Sequence, residues 1–411
     1  MKIFTKPILA VIILILLGGR PLSAAPEPTN TLDRFNYVIG TQTFGPRYQF
    51  TKQTRLVETA EAIRALGSTV IKFGMGRGYG GYDPGHFRYT PKEDPAVHSL
   101  VELARDEPSC RHVFDMPFAN FVIWMHTFSH QSWDDLYAGF PKTAQEKEYR
   151  EVYDFTAYLL KTYSGSGKTF YLGHWEGDGI LRGSVSKTND VRVTPAAVQG
   201  MINWLTVRQS AVDDAKRDTP HQNVQVWHYT EVNHVVIARD EGRPAVVNKV
   251  LPYVPVDFVS YSAYDTSNFP RPDNIKSALD YIESKLTPKP GIVGKRVFIG
   301  EYSYEILNQH TPQQQNELSC IVMRTGLEWG CPFVLYWEIY NNEVSPDGAQ
   351  RGAWMIDDKG VKQPVYLTHA EFLKQARRYV ADVTAKTGRP PTMDEYCRAA
   401  VGILKTATNR R

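Results

Sequence analysis

Eight short apolar runs, each followed by a helix-like stretch or a connection long enough to hold one, constrain this chain more than any other feature. The runs cover residues 36–44, 69–75, 121–128, 169–175, 224–230, 256–264, 296–302 and 332–340. They are continuously apolar rather than alternating, as parallel strands covered on both faces are. Between them, apolar residues recur at helical spacing over 51–66, 95–105, 143–163, 194–217, 272–285, 311–329 and 368–386, with a weak helical stretch at 245–250. Gly67 marks a helix stop, and Thr194 and Thr311, each with a proline behind it, mark helix starts. Strict alternation predicts a parallel sheet. The count of eight favours a closed (β/α)8 TIM barrel over an open doubly wound sheet.

The ends differ in character. Lys2 and Lys6 precede an apolar run at 8–17, a break at 18–21, and the small residues Ser23, Ala24 and Ala25. This predicts a secretory signal peptide over 1–25. The apolar run is too short for a bilayer, which takes about 20 residues. We expect a linker over 26–35, a barrel over 36–390 and a C-terminal extension over 391–411. The mature chain should be secreted or periplasmic, without stable membrane insertion. Its four cysteines, Cys110, Cys320, Cys331 and Cys397, allow three full pairings in an oxidising compartment, and Cys320 with Cys331 closes the shortest loop. A net charge of +3 over 411 residues implies no phosphate-binding surface, so no nucleic-acid partner is expected.

Chemistry on such a barrel sits at the carboxyl ends of the strands. Strand 4 ends in Gly173-His174-Trp175-Glu176-Gly177-Asp178 and strand 7 in Gly300-Glu301-Tyr302. Two glutamates there would face each other across the mouth, and glycoside hydrolysis needs two carboxyl groups flanking the scissile bond. The layout resembles clan A of the glycoside hydrolases, which contains cellulases, mannanases and β-galactosidases. The resemblance implies a retaining glycosidase with Glu176 as acid/base and Glu301 as nucleophile. It also implies that Trp337 stacks under the sugar, that Tyr264 hydrogen-bonds the nucleophile, and that Arg77 touches it. The chain departs from the clan immediately before Glu176, where Trp175 stands in place of the usual Asn; His174 is a candidate for the lost polar contact. Asp178 is the nearest rival to Glu176.

Aromatic residues make up 12% of the chain, and Trp, Tyr or His recurs near the ends of strands 3, 4, 5, 6 and 8. Pyranose C–H faces pack on such rings while hydroxyls need a few placed polar groups. His126, His228 and Tyr229 therefore join the candidate substrate contacts, and the expected partner is an oligo- or polysaccharide. The glycines at 76, 78 and 81 satisfy G-x-G-x-x-G, but Tyr82-Asp83-Pro84-Gly85 continues a loop where a nucleotide site needs a helix, so the segment reads as a substrate rim. No metal or organic cofactor is expected. Two other readings stay open: a metal-dependent hydrolase using His126, His130, His174, Glu176 and His228, and an exported sugar-binding barrel without catalysis.

Overall fold

A computed structural model describes residues 31–79, 89, 92–129, 132–307 and 309–408. The signal-peptide reading, the loop at 80–85 and His130 lie outside the described residues. The elements run α1 (Thr31–Arg34), β1 (Ile39–Thr43), α2 (Arg55–Leu66), β2 (Val70–Met75), α3 (Leu100–Asp106), α4 (Pro108–Asp115), β3 (Asn120–Met125), α5 (Asp134–Tyr137), α6 (Lys142–Thr162) and β4 (Thr169–Gly173). They continue through α7 (Gly177–Arg182), α8 (Pro195–Asp218), β5 (Gln225–Val232), α9 (Val235–Asp240), α10 (Val246–Lys249), β6 (Phe258–Ser262), α11 (Tyr264–Ser267) and α12 (Pro272–Glu283). The last are β7 (Val297–Tyr302), α13 (Pro312–Trp329), β8 (Val334–Tyr336), α14 (Pro364–Thr387) and α15 (Met393–Thr408).

The eight strands pair in chain order, all parallel, and β8 closes on β1. The chain is thus a (β/α)8 barrel. Local chemistry sets the helix ends where the sequence marks them. Thr194 Oγ1 accepts from Ala197 N at 3.1 Å, and Thr311 and Gln314 cap each other reciprocally ahead of Pro312. Gly67 ends α2 at φ 98°. No helix among the described residues is long and apolar enough to cross a membrane.

Side-chain direction alternates along each strand, so each strand feeds two cores. Outward residues such as Phe121, Ile123, Phe170, Leu172, Val259 and Ile299 pack under the helices. Inward residues, among them Val122, Trp124, Tyr171, Tyr229, Phe258, Phe298 and Phe333, fill the barrel itself. Gly173 makes room there: a Cβ on it would lie 2.3 Å from the Tyr229 ring.

One expectation needs correction. All four cysteines are free, so Cys320 and Cys331 are not paired. Within the expected C-terminal extension, α15 buries Tyr396, whose hydroxyl donates to Tyr37 O at 2.8 Å. Part of the 26–35 linker is also folded on, as α1, with Asp33 paired to Arg377 at 2.6 Å.

Candidate active site

Four strands converge on one buried group of charges at the mouth. Lys72, midway along β2, points inward with its side chain wholly buried. Its ammonium has three N–H donors and meets three acceptors: Glu231 Oε2 at 3.0 Å, Glu301 Oε1 at 3.0 Å and Gly300 O at 3.1 Å. The same ammonium lies 4.5 Å from the centre of the Trp124 ring. Glu231, on β5, also accepts from Ser260 Oγ at 2.7 Å and from the backbone N of Glu176 at 3.0 Å, with Trp124 Nε1 at 3.5 Å.

Glu301 faces this group because β7 slips. Ser260 pairs with Phe298 and Tyr261 with Ile299, but Ser262 pairs with Glu301, leaving Gly300 as an extra residue. Simple alternation from inward Phe298 would send residue 301 outward with Ile299; the irregularity turns it in. Gly300 also clears the space for Ser260, since a Cβ on it would lie 1.8 Å from Ser260 Oγ.

Glu176 follows β4 and stands at the N-cap of α7. Its Oε1 lies 3.1 Å from Ser262 Oγ, and the same hydroxyl lies 3.4 Å from Glu301 Oε2. The two carboxyl oxygens are therefore no further apart than the sum of those contacts. Burial, then the charge of Glu231, pushes the Glu176 carboxyl up to about 7. Burial also pushes Glu301 well above the carboxylate range, the Lys72 ammonium opposes this, and Glu231 and Glu176 add to it. Burial thus favours a proton on either group, and one cation among three carboxyl groups leaves a proton to be shared; the direct ion pair of Lys72 with Glu301 at 3.0 Å favours the charge on Glu301.

The other candidates are distributed as follows. Trp337 is 5% exposed; its ring stacks on Phe44 with centroids 5.2 Å apart, and its Nε1 has no hydrogen-bond partner among the described residues. Tyr264, half-buried in α11, lies close enough to Glu301 for that charge to help burial push its phenol well up. Trp175 is half-buried against the barrel interior. His126 is half-buried after β3, its N–H donating to Met75 O at 2.9 Å.

Four candidates are placed otherwise than expected. Arg77 is exposed, and the cation touching Glu301 is Lys72. His174 is buried with Nε2 2.8 Å from Thr230 Oγ1 and Nδ1 3.0 Å from Trp175 O, and burial lowers it to about 3. His228 is buried against Gln209, Nδ1 to Oε1 3.2 Å. Both histidines face the helices, because inward Tyr171 and Tyr229 leave residues 174 and 228 with outward parity. Tyr229 points inward but is fully buried as barrel filling, its ring 5.6 Å from Phe298. Asp178 is buried in the first turn of α7, accepting the backbone N–H groups of Val246, Asn233 and His234 and pairing with Arg182, which removes it as a rival to Glu176. Among the described residues no group of three or more His, Cys, Asp or Glu is arranged to hold a metal ion.

Sequence reasoning missed Lys72, Glu231, Ser260 and Ser262. A lysine inside the apolar run at 69–75 was a usable signal, since lysine is almost never fully buried unless paired. Glu231 fell one residue past the expected end of strand 5, which extends to Val232. A cavity of about 840 Å³ opens on the face of α6, and none of the residues of this cluster line it.

No family model and no curated protein matches the chain. Solved structures do. The GH5_18 protein of Streptomyces cattleya, in complex with Manb1-4GlcNAc, matches with a TM-score of 0.50 at 11% identity over 85% of this chain and 84% of that one. A family 39 glycoside hydrolase from Bacteroides cellulosilyticus WH2 gives 0.46 at 14% identity over 84% of this chain, which spans 64% of that chain's length. Xylanase 10B of Thermotoga maritima gives 0.44 at 11% identity over 86% of this chain and 100% of that one. At such identities the likeness shows the fold.

Proposed function

We propose that this chain is an exported glycoside hydrolase that cleaves O-glycosidic bonds with retention of configuration. The observation that carries the reading is the Ser262 hydroxyl set between Glu176 and Glu301. Retaining enzymes hold their two carboxyl groups about 5–5.5 Å apart, and inverting ones need about 6.5–9.5 Å to admit a water. Two carboxyl oxygens sharing one hydroxyl support the short class.

The same hydroxyl supports the assignment of roles. Ser262 has one proton to give. Both contacts are satisfied together when Glu176 is protonated and donates to Ser262, and Ser262 donates to an ionised Glu301. In the first step a Glu301 oxygen attacks the anomeric carbon while the Glu176 proton passes to the departing oxygen. The covalent ester removes the charge of Glu301, the Glu176 carboxyl falls, and Glu176 now takes a proton from water. That water attacks the anomeric carbon and releases Glu301 as carboxylate. Trp337 and Trp175 supply apolar surface for the sugar, and Tyr264 borders the nucleophile.

The test is a panel of 4-nitrophenyl glycosides with the product anomer followed by proton NMR, plus a 2-deoxy-2-fluoro glycoside and peptide mass analysis. Retained product and a label on Glu301 are expected. Inverted product, or a label elsewhere, overturns the mechanism. Hydrolysis untouched in Glu301→Gln overturns the assignment and favours a different site.

A further inference from the structure

We propose that Glu231 is a positioning residue: through the Glu176 backbone and through Lys72 it keeps the proton on Glu176 and the negative charge on Glu301. The inference rests on the glycosidase reading for its purpose, but its physical content can be measured without a substrate.

The donors decide how the cluster divides its charge. Glu231 receives Lys72, Ser260 and the Glu176 N–H, with Trp124 at the longer distance, and donates to none; this is the hydrogen-bond pattern of a carboxylate. Glu301 receives Lys72 and the Ser262 hydroxyl. Among the described residues the Glu176 carboxyl meets only the Ser262 hydroxyl, whose single proton goes to Glu301. A proton added to this buried group therefore displaces the fewest donors at Glu176. The charge of Glu231 then acts on Glu176 from close by, since Glu231 Oε1 is bound to the Glu176 backbone.

Among the described residues, one cation touches Glu231 and opposes its effect on Glu176. Lys72 of β2 is shared with Glu301 of β7. From β3 comes the Trp124 indole, and from β6 the neutral hydroxyls of Ser260 and Ser262. Asp178, two residues beyond Glu176 in the first turn of α7, is occupied by Arg182 and three backbone donors. Lys72 cannot fully compensate two carboxylates at 3.0 Å, so the third carboxyl stays protonated toward neutral pH.

The experiment is a 13C-carboxyl NMR titration of glutamate-labelled full-length protein, with the Glu176 signal assigned by its loss in Glu176→Gln. Glu176 is expected to titrate near 7 in the wild type and about one pH unit lower in Glu231→Gln, where a charge has been removed. The alkaline limb of kcat/KM on the glycoside panel should move down with it. Ser260→Ala keeps the carboxyl group but strips one donor from Glu231, so the proton is shared toward Glu231 and Glu176 shifts the same way by less. This variant decides the matter if Glu231→Gln does not fold. Unchanged Glu176 titration in the folded variants overturns the proposal and leaves Glu231 a packing residue. If the titrations shift but Glu176→Gln and Glu301→Gln still hydrolyse the panel at wild-type rates, the glycosidase assignment fails and the electrostatic role stands.

Discussion

Two buried ion clusters lie close together in this barrel, and they are built on opposite principles. In the outer wall, Glu148 of α6 meets Arg208 of α8 at 2.6 Å, one charge against one. Glu148 also accepts from Trp204 Nε1 at 3.0 Å and from the Thr127 hydroxyl. The remaining Arg208 donors go to Gly173 O at 3.2 Å and Met125 O at 2.6 Å, the last carbonyls of β4 and β3. Every charge there is matched and the strand ends are tied down. At the mouth, one lysine serves two carboxylates, and a third stands beside them. The wall cluster is fully paired, and removing one partner would strand a buried charge. The mouth cluster is electrostatically unbalanced, and the imbalance lets a carboxyl group hold a proton near neutral pH.

The contrast can be broken by experiment. Its largest expected effect is on Glu301→Gln, which should lower hydrolysis on the order of 10^5-fold. The melting temperature should hold or rise, because Lys72 is left with a single matched partner. A melting temperature that drops as far as in wall variants would remove the distinction. Arg208→Met should do the reverse. It leaves Glu148 buried and uncompensated, so denaturant unfolding should show a loss of about 3–5 kcal/mol, while turnover per folded molecule survives. A loss below about 1 kcal/mol would mean that the wall pair does not hold the strand ends.

Glu176→Gln should lower turnover of poor leaving groups by roughly 10^3-fold, with much smaller losses on activated aryl glycosides, since only the former need the proton. Equal losses on both would argue against an acid role. The smallest effect is on stability against pH. Glu176 is raised from 4.5 to about 7 in the folded chain. Across that window the folded state keeps a proton that the unfolded state has released, so its contribution to stability is full below 4.5 and is lost as pH rises toward 7. Urea titrations should show this decline in the wild type and a flatter profile in Glu176→Gln.

Much of the fold was legible. The eight apolar runs contain the eight strand cores, although Asn120, Glu231 and Val232 lie beyond their edges. Thr194, Thr311 and Gly67 end helices where capping chemistry places them. The site was half legible. Glu176 and Glu301 could be named because carboxylates closing apolar strands are conspicuous. His174 and His228 misled because a strand buried on both faces does not mark which face is the inner one, and parity put both outside. Arg77 misled for another reason: the cation that reaches Glu301 comes from within β2, not from the loop beyond it.

The sequence by itself determined the barrel, since its spacing of strands, helices and caps admits few other closed arrangements, and it put one glutamate at the end of strand 4 and one in strand 7. The tertiary structure decided that these two share a hydroxyl and that Lys72 and Glu231 stand between them. Those contacts join residues 159 and 229 positions apart in the chain. They depend on barrel closure and on a one-residue slip at Gly300, which reverses the direction of Glu301 against the simple alternation of its strand. No local pattern encodes that slip, because it is a property of how β6 and β7 pair.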